Sequence, residues 1–345
     1  MGRPRAGPGA ALTRFGRVLE RLDRLQRRRA GLGFPFAVLR KYLDDGGGRE
    51  AALITYYGFL SLFPALLLAQ TVVTRALAQR PELQQRLILA MVPPSLQSTV
   101  TNAATAVPDS PVALAAGLTG LLLSGTGVVF AAARTLNHLA AVPYRRRTGM
   151  VSGPVRVVAA LILILSGVVT VGCLIVVTAA YPGLPWASRI LAVVGEGTIV
   201  FVVLLLVARL LLARPAPVRA LWPAALPGAV AVTCTLELGA AFLPGLVRRA
   251  GPVYGGFATV AGMFTLLYVL SNALVFAAET AAVRQARLWP RAVDRSLPTG
   301  ADAHALELLA REQERIPDQR ISSRLLRPPP RRADRGEASR PPPAR

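Results

Sequence analysis

The chain is poor in the residues that most often carry chemistry. Its 345 residues include two cysteines, two histidines and one lysine. Cys173 and Cys234 both lie inside apolar runs, so they read as small buried residues rather than a disulfide framework or a thiolate metal site. His138 and His304 lack the Cys, His or carboxylate spacing of a metal centre, and no metal or other cofactor is expected. Ser61 and Ser124 have no histidine base within their helices, and every aspartate falls in a tail or loop, so an enzyme is not expected. GTGVVF lacks the strand and helix context of a nucleotide loop. The N-terminus has no apolar signal-peptide core and no myristoylation pattern. Lys41 stands alone among 40 basic side chains. Set beside the abundance of Ala, Pro and Gly, that reads as high-GC codon usage rather than chemistry. Aromatics make up only 6%, and without aromatics interleaved among the arginines no nucleic-acid partner is expected.

What the chain does have is long uncharged runs. Residues 51–74, AALITYYGFLSLFPALLLAQTVVT, contain no charge, and about 20 such residues cross a ~30 Å hydrocarbon core as a helix. Further runs at about 111–133, 155–180, 190–212, 220–243 and 256–282 bring the expected spans to six. The fold class is therefore all-α, a polytopic membrane protein with six transmembrane helices. Breaks are expected at 181–188 and 244–254, and 75–110 is too polar to cross. Three domains are expected. They are a basic amphipathic segment at 1–33, a membrane domain at 34–283, and an Arg/Pro-rich disordered tail at 284–345. In the first, Arg14, Arg17, Arg21, Arg24 and Arg28 line the polar face of a helix suited to anionic lipid headgroups. Basic residues concentrate in both tails and in the loops after the second and fourth spans. The positive-inside rule then places both termini in the cytoplasm of a bacterial cell, with the spans in its plasma membrane.

Polar groups inside the spans are the candidate functional residues. Thr55, Tyr56, Tyr57 and Ser61 put hydroxyls into the first span. Tyr57, Ser61 and Pro64 share one face, which must turn toward protein. Ionisable groups in a bilayer are costly and mark a site or a buried pair. Glu196 and Glu237 are candidates for one shared polar cavity. Glu279, near the inner end of the sixth span, is a candidate structural anchor, paired with Arg134 or hydrogen-bonded to Asn137 or a first-span hydroxyl. Asn272 is a candidate interhelical hydrogen bond.

Several of these stretches carry a resemblance. AALITYYGFLSLFPALLL (51–68), TLNHLAAVP (135–143), PGAV (227–230) and YGGFATVAGMFTLLYVLSNALVFAAETAA together resemble the YihY/BrkB family of bacterial inner-membrane proteins across about residues 35–287. The ending reads Ala-Glu-Thr-Ala where the family pattern has Glu-Leu-Asn-Ala, so an expected Asn is missing beside Glu279. The resemblance implies a six-helix inner-membrane protein and supplies no reaction. The ribonuclease label once attached to the family finds no acid–base pair or metal cluster here. Two functions remain. One is binding or transport of a small solute or lipid through a polar interior lined by Thr55, Tyr56, Tyr57 and Ser61, with Glu237 and Glu196 as its charged groups. The other is a non-transporting scaffold that holds anionic lipid or a partner through the basic tails.

Overall fold

The computed structural model describes residues 30–76, 111–147, 154–180, 185–213, 216–293 and 298–325. Among them the secondary structure is helical throughout. A short α1 (Ala30–Asp44) leads into α2 (Gly47–Ala76), α3 (Pro111–Leu139) and one turn, α4 (Tyr144–Arg147). Then come α5 (Pro154–Ala180), α6 (Trp186–Leu211), α7 (Val218–Tyr254), α8 (Gly256–Ala286) and α9 (Gly300–Glu312). Six of these, α2, α3, α5, α6, α7 and α8, are long and apolar enough to cross a membrane. The basic segment with Arg14, Arg17, Arg21, Arg24 and Arg28, and the tail beyond 325, lie outside the described residues.

The six long helices run up and down, each packed on the next, and α8 closes the ring against α2. Their outward faces are apolar: Leu123, Leu191, Phe242 and Phe257 are 73%, 72%, 65% and 69% exposed. Side chains of that kind at that exposure require hydrocarbon as their solvent, and helices satisfy the backbone within it.

Close approach inside the ring comes from small residues. A Cβ on Gly127 of α3 would stand 2.4 Å from the Tyr57 ring, and one on Gly120 would stand 3.2 Å from Pro64. The Tyr57/Pro64 face of α2 thus packs on glycines of α3, as small residues allow in membranes.

Two expectations are corrected. The break at 244–254 is absent, because α7 runs unbroken through Pro244 to Tyr254. The chain reverses instead at Gly255, whose φ of +55° favours a residue without Cβ. The chain from 284 onward is not a featureless tail. Leu288 is fully buried, and α9 is N-capped by a capping box between Thr299 and Asp302. Ala305 and Leu308 of α9 pack with Ala37 and Val38 of α1 and Val283 of α8. The Phe34 and Trp289 rings meet edge to face at 5.4 Å. The polar composition conceals an apolar stripe in ALELLA, spaced as a helix face requires.

Candidate functional site

Two places gather polar groups. The first lies where α1, the start of α2 and the ends of α3 and α8 meet under the C-terminal segment. Lys41 sits at its centre, with its side chain only 8% exposed. Its ammonium pairs with Asp45, one turn on, and with Glu279 of α8 at 3.0 Å, and donates to the Leu139 carbonyl at 3.0 Å. Burial alone would lower the Lys41 pKa, but the Glu279 and Asp45 carboxylates outweigh it and hold the ammonium above its ordinary value. Glu279 is wholly buried, so this cation is what offsets the cost of its charge.

A second layer covers the first. His138 faces the Glu312 carboxylate at 2.6 Å through Nδ1 and the Asp45 carbonyl at 3.1 Å through Nε2. Both partners are acceptors, an arrangement that an imidazolium satisfies at both nitrogens. The Arg147 guanidinium reaches the same Glu312 oxygen at 2.7 Å and donates to the Asn137 and Val142 carbonyls. Asn137 bridges α3 to the end of α6, donating to the Leu211 carbonyl at 3.0 Å and accepting from the Ala213 amide at 2.8 Å. At the outer edge, Arg291 joins Asp302 at 2.6 Å to Asp44 at 2.7 Å. Asp302 also accepts from the Thr299 and Ala292 amides. The assembly is a clasp, in which α9 and its flanks are tied by charge-assisted bonds to helix ends from α1, α3 and α8.

The second place is inside the ring, between α6 and α7. Glu196 is 2% exposed and its Oε1 has no hydrogen-bond partner. Thr233 of α7 is 7% exposed and its hydroxyl is likewise without one. Nearby hydroxyls on the same helices behave otherwise: Thr198 and Thr235 donate to Val194 and Ala231 one turn back. Glu237, one turn beyond Thr233 on the same face of α7, is exposed. On the opposite face of α7, an apolar cleft of about 540 Å³ opens between α7 and α8, walled by Gly239, Phe242, Leu246, Phe257, Ala261 and Leu266.

The residues singled out from sequence divide accordingly. Glu196 is buried against α7 and Glu237 is exposed, and neither lines the cleft. The first-span hydroxyls do not join them: Thr55 donates to Ala51 at 2.8 Å and Ser61 to Tyr57 at 2.9 Å, each spent on its own helix. Tyr56 is 55% exposed on the outer surface, and Tyr57 packs on Gly127. No polar channel on α2 follows from them. The Glu279–Arg134 pair is also corrected, because Arg134 points outward and is exposed while Lys41 reaches Glu279 from α1. Asn137 serves α6 and Arg147 instead. Asn272 accepts from the Tyr42 hydroxyl of α1, a bond between elements.

Lys41, Asp45, His138, Arg147, Arg291, Asp302 and Glu312 were not read as a site. The signals available were the spacing of Lys41 and Asp45 by four and the Thr299–Asp302 capping pattern. No curated protein and no solved structure matches the chain. The profile of the family described as virulence factor BrkB matches residues 38–299, a stretch that takes in all six membrane helices and most of the clasp. The chain is a polytopic helical membrane protein belonging to the virulence factor BrkB (YihY) family.

Proposed function

We propose that this protein binds an anionic, lipid-like amphiphile in the cleft between α7 and α8 and moves it along that face of the bundle. The observation that carries the reading is the cleft itself. About 540 Å³ falls within the range of small-molecule sites, and its walls are almost wholly apolar. Of its hydroxyl-bearing residues, Thr235 and Thr265 spend their hydroxyls on Ala231 and Ala261, and Tyr254 stands at the Gly255 end. An acyl chain suits such walls; a polar solute does not. Arg249, exposed on α7 next to the wall residue Ala250, supplies a cation at that end of the cleft for a phosphate or carboxylate headgroup, whereas Arg248 lies on the opposite face. This departs from transport through a polar interior, since the first-span hydroxyls are already committed.

The reading includes an orientation. The clasp faces the cytoplasm of a bacterial cell, because Arg145, Arg146 and Arg147 after α3 and Arg209 and Arg219 beside the α6–α7 link are at that end, and six spans then give both chain ends the same side. The opposite end, with Gly255, faces outward. Anionic lipid headgroups are the partner, and no catalytic role is assigned.

The test is binding of a short-chain anionic lipid to the purified, detergent-solubilised protein, followed by native mass spectrometry and thermal shift. Wild type is expected to bind and to gain stability by mass action. Ala261→Trp, which fills the cleft, is expected to lose at least about tenfold in affinity and keep its unliganded melting temperature. Equal binding by both proteins would overturn the assignment.

A further inference from the structure

Glu196 poses a problem that the cleft does not solve. It lies fifteen residues from Leu211, and Thr233 lies fifteen residues from Val218, on either side of the short α6–α7 link. At ~1.5 Å per residue both are about 22 Å from that link, at the same depth and, across a ~30 Å core, past its middle toward the Gly255 end. A carboxylate there requires a compensating charge. Among the described residues no basic side chain pairs with Glu196, and Glu237, one turn beyond Thr233, carries the same sign. The other group at hand is the Thr233 hydroxyl, buried and without a partner. The backbone is also open here. Gly195 and Gly197 flank Glu196, and a Cβ on Gly197 would meet the Thr233 hydroxyl oxygen at 3.6 Å.

We infer that Glu196 and Thr233 form a site within the membrane for a monovalent alkali cation, with sodium the best match. The donor set is all oxygen, which selects a hard ion. Its charge selects a monovalent one: Glu196 is buried and contributes one negative charge, while Glu237, one turn from Thr233, is exposed and stands beside the site rather than in it. Sodium binding satisfies both orphaned oxygens together. A proton on Glu196 would let the carboxyl and the Thr233 hydroxyl bond each other directly, and sodium dependence is what separates the two cases. Because Thr233 and Glu237 occupy the face of α7 opposite the cleft, one helix carries the ion on one side and the amphiphile on the other. Occupancy of either site then biases the position of α7, which is the physical content of coupling between them. The inference extends the cleft reading but does not need it in order to hold.

The experiment uses the full-length protein in detergent. Melting temperature is measured in sodium chloride, potassium chloride and choline chloride at equal ionic strength, and radiolabelled sodium binding is measured directly. Wild type should melt higher in sodium than in choline and bind one sodium per chain. Glu196→Gln should abolish both effects, and Thr233→Val should weaken sodium affinity by at least about tenfold. Glu237→Gln, at an exposed position, provides a folded control with reduced affinity should Glu196→Gln fail to fold. The same melting temperatures in sodium and choline for wild type would overturn the site, as would sodium binding retained in both Glu196→Gln and Thr233→Val. A melting temperature that follows pH through Glu196 without any sodium effect would also overturn it, by assigning the carboxylate a proton. Ala261→Trp separates the two proposals: if the sodium effect survives in it while wild type binds no amphiphile, only the cleft reading fails.

Discussion

Replacing Lys41 with methionine tests the centre of the clasp. Methionine keeps the unbranched apolar stem and removes the ammonium, so packing changes little and charge changes by one. The ammonium is held between Asp45 and Glu279, whose side chains are 3% and 0% exposed, and tied to the Leu139 carbonyl. Its removal leaves two buried carboxylates facing each other with no cation between them. Breaking a buried pair from one side costs about 3–5 kcal/mol, far above the value of a surface pair. The assay is reversible unfolding in mixed micelles by denaturant titration, with Lys41→Met, Glu279→Gln and the double variant compared. The double variant should recover part of the loss, with a coupling energy of about 0.5–3 kcal/mol. Because Lys41 sits above its ordinary pKa of 10.5, its contribution is complete below that value and is lost as pH rises through the folded one. A Lys41→Met cost under about 1 kcal/mol, or strict additivity in the double variant, would refute the reasoning.

Asp302 gives the acid-side counterpart. Burial would raise its pKa, but the Thr299 and Ala292 amides, the Thr299 hydroxyl and Arg291 hold it below the ordinary 3.8. Its contribution is therefore complete above about 4 and disappears as pH falls through the lower folded value. Protease release of the C-terminal segment should rise over that acid range in wild type. In Asp302→Asn the same cleavage should already be raised at neutral pH; identical profiles would contradict the assignment. Glu312→Ala removes the shared partner of His138 and Arg147 and should loosen α9 by about 3 kcal/mol or more, read as hydrogen exchange confined to 298–325 while the six long helices stay protected. Gly127→Val places a branched side chain where a single Cβ would already stand 2.4 Å from the Tyr57 ring. It should destabilise by about 1–3 kcal/mol, and Tyr57→Ala in the same chain should restore part of that loss; no rescue would mean that this contact is not what limits the α2–α3 approach.

The six spans were legible because hydrocarbon imposes one rule on every residue of a helix that crosses it. An uncharged run of sufficient length declares itself without knowledge of its neighbours. Glu196 stood out for a related reason: charge in such a run is rare, and a buried one needs an account. The clasp was not legible because its bonds join distant parts of the chain. Lys41 and Glu279 are separated by most of the membrane domain, and Arg147 meets Glu312 across four long helices. Nothing local in KYLDD says which carboxylate the lysine will find. Rarity was misleading as well: the single lysine, attributed to codon usage, occupies the most buried ion cluster described. For the first-span hydroxyls the error was to count donors without asking whether the preceding turn's carbonyl would take them, as it does for Thr55 and Ser61.

The distribution of these groups makes the two ends of the bundle mechanically unequal. At the clasp end, α1, α3, α8 and α9 are joined by ion pairs among side chains that are almost wholly buried. Separating them would expose several unpaired charges at once, a cost of several kcal/mol for each pair opened. At the other end, α7 and α8 meet at Gly255 over an apolar cleft, and the wall residues Phe242, Leu246 and Phe257 are already mostly exposed. Moving α7 there exchanges one apolar contact for another, protein for lipid, at little cost because hydrocarbon solvates both. Among the described residues, displacement therefore costs least at the Gly255 end of α7 and α8 and most at the clasp. Glu196, Thr233 and Glu237 stand between the two, at the depth where a small displacement of α7 against α6 changes the distance between the two orphaned oxygens.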